Sequence, residues 1–88
     1  MAQSESLIEY PCAFPIKVMG IADGALVETV LAIVCCHDPL FDAGSMERRS
    51  SATGKYLSLT CTITATSRAQ LDALYLELTG NPLVKVVL

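Results

Sequence analysis

Cys35-Cys36-His37-Asp38 gathers two thiols, the chain's single imidazole and a carboxylate in one run. These are the residue types of metal centres and of thiol nucleophiles served by an imidazole base. The spacing argues against both. Zinc motifs separate their cysteines by about two to four residues so that both thiolates can reach one ion. Adjacent cysteines on a helix point apart, and no second cluster follows. A nucleophile and its base also need a third group to orient the base, and none is evident. His37 is explained by the last turn of a helix, where unsatisfied carbonyls favour positive charge. The sequence therefore implies no metal, no cofactor, no catalytic residues and no enzyme. Its four cysteines (Cys12, Cys35, Cys36 and Cys61) allow three disulfide pairings. Cys61 falls on the apolar side of a strand and Cys35 and Cys36 end an apolar helix, so all are read as reduced thiols.

A second candidate is the loop Gly20-Ile21-Ala22-Asp23-Gly24. Placed before a helix, it presents free N–H groups and a positive dipole end to a small carboxylate, and glycine lets a ligand approach the backbone. Gly20, Asp23 and Gly24 are the ligand-binding residues on that reading. The simpler reading, a turn with Asp23 as the N-cap, explains all three. The third candidate is a sheet face formed by Lys17 and Met19, Thr60 and Thr62, and Lys85 and Val87, with Leu83 adding apolar area. Lys17 and Lys85 are expected on neighbouring strands, where an acidic partner or bound anion would relieve their repulsion. Exposed apolar area beside them suits a protein partner or a homodimer.

The elements that must position these residues follow from periodicity. From Tyr56 to Ala65, Leu57, Leu59, Cys61, Ile63 and Ala65 alternate with Ser58, Thr60, Thr62 and Thr64. That period of two is a strand with one face on a core and the other free. Phe14, Ile16 and Val18 give an earlier strand with Phe14 toward the core. Leu26, Val27, Val30, Leu31, Ile33 and Val34 recur at helical spacing up to His37, with Pro39 just beyond. Met46 to Ser51 is charged and suits an edge strand, and Ala52 to Lys55 makes a hairpin connection. Ser67 caps a second helix carrying Leu71, Leu74, Tyr75 and Leu78 on one face, ended by Gly80-Asn81-Pro82. Leu83 to Leu88 is a last strand, with Val84, Val86 and Leu88 opposite Lys85 and Val87.

The order β-α-β-β-α-β has few right-handed, unknotted solutions. The expected fold is α+β and ferredoxin-like, a four-stranded antiparallel sheet with both helices on one face. The first and third strands are expected at its centre. Residues 13–88 are one domain, and 1–12 a flexible N-terminal lead-in.

Composition sets the remaining bounds. Eighty-eight residues with 52% apolar content exclude general disorder. No apolar run approaches the roughly 20 residues of a membrane-spanning helix, and the first nine residues lack a basic n-region. A cytoplasmic location without membrane contact is the expectation. A net charge of −3 argues against nucleic acid as a general partner. The same element order occurs in RNA-recognition motifs, which stack bases on central-strand aromatics. Here the outward residues are serine and threonine after Tyr56, leaving Arg48, Arg49 and Lys55 near the hairpin for phosphate. RNA binding is the distant alternative.

Three segments resemble the YbeD-like family of small bacterial cytoplasmic proteins. They are Phe14-Pro15-Ile16-Lys17-Val18-Met19-Gly20, Gly54-Lys55-Tyr56-Leu57-Ser58 and Val84-Lys85-Val86-Val87-Leu88. The resemblance spans nearly the whole domain and departs most at Cys35-Cys36 and at Asp38 to Ser50. It implies a ferredoxin-like fold similar to the ACT regulatory domains, and a role near lipoate metabolism, since some members are encoded beside lipoate-attachment enzymes. It carries over no catalytic residue. The combined expectation is a non-enzymatic regulatory or protein-interaction module, with an ACT-like sensor of small amino or carboxylic acids as the alternative.

Overall fold

The strand β3 (Tyr56–Ala65) carries the alternation that the sequence predicts. Leu59, Cys61, Ile63 and Ala65 are buried, while Thr62 and Thr64 are exposed and Thr60 is half-buried. The computed structural model describes residues 9–22 and 24–88. Residues 1–8 of the expected lead-in, and Asp23 with its expected capping role, lie outside the described residues. Around β3 the chain runs β1 (Cys12–Ile21), α1 (Gly24–His37), a 3-10 turn (Ala43–Ser45), β2 (Glu47–Ser50), then β3, α2 (Arg68–Thr79) and β4 (Val84–Val87).

The sheet order is β2-β3-β1-β4, with every neighbouring pair antiparallel. The first and third strands are central, as expected, and pair from Cys12 opposite Ala65 to Ile21 opposite Tyr56. Leu26, Val30, Ile33 and Val34 of α1 and Leu71, Leu74 and Leu78 of α2 join Ile16, Val18, Leu59, Cys61 and Ile63 in a single buried cluster. Both helices therefore cover one side of the sheet. Burial of each large aliphatic side chain there contributes about 1.5–3 kcal/mol, and among the described residues nothing covers the opposite side. Among the described residues, no helix is long and apolar enough to cross a membrane.

Local chemistry sets the element ends. Ser67 accepts a hydrogen bond from the Gln70 backbone N–H at 3.0 Å, capping α2. Gly80 closes that helix by donating its N–H to Leu76 O at 3.0 Å. Gly54 turns the β2–β3 hairpin at φ +75°, a conformation that side chains disfavour.

The structure corrects the sequence expectation at three places. The first strand begins at Cys12 rather than after it, and Tyr10 packs against the core, so these two residues of the expected lead-in join the folded part of the chain. Gly20 belongs to β1, not to a turn. A Cβ there would lie 2.3 Å from Leu83 O and 2.9 Å from Leu26 Cδ1. The third correction is in β4, where Val84 lies opposite Gly20 but Val86 lies opposite Met19. Lys85 is thus an extra residue in the ladder, and such a bulge inverts the alternation beyond it. Val86 shares the uncovered face with Met19, while Val87 pairs with Val18 and packs against the core. Leu83 also packs against the core instead of the free face.

Gly20→Ala should destabilise the fold by about 1–3 kcal/mol, because the clash is with backbone. Gly24→Ala, with nothing within 4 Å of the new methyl, should be neutral or slightly stabilising. Paired thermal melts followed by circular dichroism check this; equal midpoints would show that Leu83 gives way freely.

Candidate functional site

The free side of the sheet is built from alternate residues of the two central strands and the edge strand β2. Lys17 and Met19 of β1 lie opposite Thr60 and Ser58 of β3. From the other side, Glu47 and Arg49 of β2 lie opposite the same Thr60 and Ser58. Ser58 and Thr60 therefore form a floor between two rows of longer side chains. Thr62 continues β3 beyond them.

Of the residues expected on this face, the structure brings together Lys17, Met19, Thr60 and Thr62. It does not add Val87, which the bulge turns to the core side. Lys85 is exposed but sits at the bulge beside Met19 and Gly20. Lys17 is bonded instead to Leu88, through its N–H to Leu88 O at 3.1 Å and from Leu88 N–H to its O at 2.8 Å. The expected Lys17–Lys85 repulsion is therefore replaced by a lysine beside a leucine. The expected site leaves out Glu47, Arg49, Ser58, Val86 and the pair Ile21 and Tyr56, which lie opposite each other, although the sequence puts Ser58 outward and offers Arg49 and Tyr56 to the RNA alternative. Arg49 and Ser58 were accessible from the hairpin register; Val86 was not, because alternation alone does not reveal a bulge.

Two hollows open on this face. One, of about 170 Å³, is lined by Lys17, Met19, Arg49, Tyr56, Leu57 and Ser58. The other, of about 320 Å³, is lined by Lys17, Glu47, Arg48, Arg49, Ser58 and Thr60. They share Lys17, Arg49 and Ser58. Among the described residues, neither Lys17 nor Arg49 has an ion-pair partner.

The loop candidate is altered by the structure. The space a side chain would take at Gly20 is filled by Leu83 and Leu26, leaving no approach for a ligand there. Gly24 is open and lines a broad groove with Val27, Glu28, Arg48 and Leu57 on the helix side of the sheet. Asp23 lies outside the described residues.

His37 and Asp38 are taken up in holding the layers together. His37 Nε2 lies 2.7 Å from Glu77 Oε1, linking α1 to α2. Asp38 is buried, and its carboxylate accepts from Thr64 N–H at 2.9 Å and from Leu40 N–H at 3.3 Å. The Gln70 amide donates to His37 O at 2.9 Å and Thr64 O at 3.2 Å, while its Oε1 accepts from Thr66 N–H at 2.7 Å. One polar knot thus joins the end of α1, the end of β3 and the start of α2. Cys36 is exposed, Cys12 and Cys35 half-buried and Cys61 buried, all as free thiols. Burial, with a smaller contribution from Cys35, pushes the Cys61 thiol up to about 11. Among the described residues, no three His, Cys, Asp or Glu side chains are placed to hold a metal ion.

Two outcomes follow from the knot and the thiol. Asp38→Ala removes the acceptor of the Thr64 and Leu40 N–H groups. Both bonds are part-buried, so each loss should cost less than the roughly 1–3 kcal/mol of a fully buried donor. The melting midpoint should fall without a change in the fold seen by circular dichroism. For Cys61, the unfolded thiol releases its proton near its ordinary 9.0 and the folded one near 11. Its contribution to stability is therefore complete below the first value and lost as pH rises through the second. Urea titrations across that window should show a downward slope that Cys61→Ala flattens; an unchanged slope would assign it to other groups.

Comparison with known proteins supplies the remaining findings. Residues 5–88 match the family model described as "Protein of unknown function (DUF493)". A UPF0250 protein of Janthinobacterium sp. (strain Marseille) is 56% identical over 85 residues, covering 97% of this chain and 93% of that protein. A UPF0250 protein of Nitrosomonas europaea is 56% identical over 84 residues, covering 96% and 97%. The solution structure of protein HP0495 from H. pylori superposes with a TM-score of 0.76 at 16% identity, covering 92% of this chain and 85% of that one. At that identity the likeness speaks for the fold.

Proposed function

The chain belongs to the DUF493 family, whose UPF0250 members are the YbeD-like proteins that its motifs resemble, and we propose that it acts as a non-enzymatic docking module. The uncovered sheet face is the surface that engages a protein partner. One observation carries this reading. Of the six large apolar side chains left exposed among the described residues, four (Ile21, Tyr56, Val86 and Leu88) come from strand positions of the free face or the chain end bonded to it. The other two, Leu40 and Leu76, lie apart, in a loop and on α2. Apolar side chains gathered on one flat face are the signature of an interaction surface, whereas scattered ones are not.

Other features favour the same reading. In the thiol–imidazole–carboxylate run, His37 and Asp38 are occupied with structural bonds, and Cys61, outside that run, is held as a neutral thiol. An ACT-like acid sensor at the helix-start loop is less well supported, since the chain's own atoms close over Gly20. RNA binding has the cations but, among the described residues, Tyr56 as the one aromatic on the sheet face. The neighbourhood implied by the family resemblance, lipoate attachment in the cytoplasm, is where the partner should first be sought.

The test pairs Val86→Glu with Thr62→Glu in one variant and uses Leu76→Glu on α2 as its control. Both should melt like the wild type, since all three side chains are exposed. The sheet-face variant should lose a partner recovered with tagged wild-type protein from the source lysate, or a dimer mass seen by light scattering. The α2 control should retain it. Retention by both variants would contradict docking through the sheet.

A further inference from the structure

The two hollows on the free face differ in chemistry but share one boundary, and that boundary is cationic. Lys17 of β1 and Arg49 of β2 reach over the β3 floor from opposite sides, with Ser58 in both linings. Arg49 is directly opposite Ser58, and Lys17 is one ladder step away, opposite Thr60. Neither cation has an ion-pair partner among the described residues, although the chain carries a net charge of −3. Glu47 of β2 lies across Thr60 from Lys17 and lines the polar hollow with Arg48, so the seat between Lys17 and Arg49 lies toward Ser58. Toward the hairpin, Met19, Tyr56 and Leu57 line the smaller hollow.

Resting on the docking reading above, we propose that the partner presents an acidic segment with an aliphatic neighbour. Its Asp or Glu carboxylate seats over Ser58 between Lys17 and Arg49. An adjacent Leu, Ile or Met side chain enters the hollow formed by Met19, Tyr56 and Leu57. The carboxylate matches the site because guanidinium, ammonium and hydroxyl are all donors, and charge-assisted bonds are roughly twice as strong as neutral ones. The size of the apolar hollow favours a protein side chain there, while the polar hollow beside it, about 320 Å³, has room for a small anion as well as for a side-chain carboxylate. Sites that hold a free small molecule enclose about 300–1,000 Å³ and bury most of the ligand. The apolar hollow here is about 170 Å³, enough for one side chain whose segment is held by neighbouring contacts. A phosphate-bearing strand would meet the same cations, yet only one aromatic lies there for a base to stack on.

The test selects phage-displayed random linear peptides on the immobilised full chain. Selected peptides are then titrated by calorimetry and mapped by backbone amide shifts. The expected peptides place Asp or Glu next to Leu, Ile or Met and shift the amides of Lys17, Ser58 and Arg49. They should bind at least tenfold more weakly to the Lys17→Glu/Arg49→Glu variant, which should melt like the wild type, and weaken at higher salt. Changing the peptide's acid to Lys should restore binding to that variant. Peptides that map to the sheet face but lack acids, or ignore the charge reversal, would overturn this inference and leave the docking reading standing. Peptides that map elsewhere, or no selection at all, would overturn both. Binding of poly-uridine at the same amides, lost on charge reversal, would reassign the cations to nucleic acid and overturn the acidic-segment proposal.

Discussion

Among the described residues, two helices of 14 and 12 residues cover one side of a four-stranded sheet and leave the other uncovered, and this limit shapes the rest of the molecule. The strands send most of their apolar residues to the covered side, where water is removed from them; Met19, Ile21 and Val86 are the exceptions on the free side. In β3 the rule holds over the whole strand, with Leu59, Cys61, Ile63 and Ala65 inside and Thr62 and Thr64 outside. The reverse side is then free of structural duties. What it carries is therefore informative: apolar side chains toward one end, two cations without an ion-pair partner among the described residues in the middle, and threonines beyond.

The helical layer is fixed to the sheet by more than apolar contact. Asp38, at the end of α1, takes up N–H groups of β3 and of its own turn, and Gln70 of α2 bonds both segments. A buried carboxylate is costly unless hydrogen-bonded, and here its acceptors meet two backbone donors. This accounts for the most chemically suggestive run in the chain without invoking a reaction. The imidazole and the carboxylate lie where α1 must be joined to its neighbours, and the thiols line the same end of the helix.

Most of the architecture was legible because each element obeys one period. The β3 alternation, the helical spacing from Leu26 to Val34 and the caps at Ser67 and Gly80 each followed from local chemistry, and the β-α-β-β-α-β order left one economical sheet. The family resemblance was legible too, in segments that lie on the two central strands and β4. Lys17, Met19, Thr60 and Thr62 lie on the free side as the alternation of β1 and β3 implies, whereas on β4 the alternation misleads. There Lys85 enters the ladder as an extra residue, and no propensity distinguishes Val86 from Val87. Gly20 was misassigned for a related reason: its need for glycine comes from Leu83, distant in sequence, rather than from a turn. The Asp38 knot likewise depends on tertiary partners, Thr64 and Gln70, that no local pattern announces.

The most direct check is to record methyl spectra of the monomeric protein with a soluble gadolinium agent, which broadens signals that solvent can reach. Val86 should broaden strongly and the half-buried Met19 and Val87 less, while the Val18 and Leu74 core signals are spared. Broadening of Val87 with protection of Val86, or protection of Met19 in a sample shown to be monomeric, would contradict a sheet covered on one side alone.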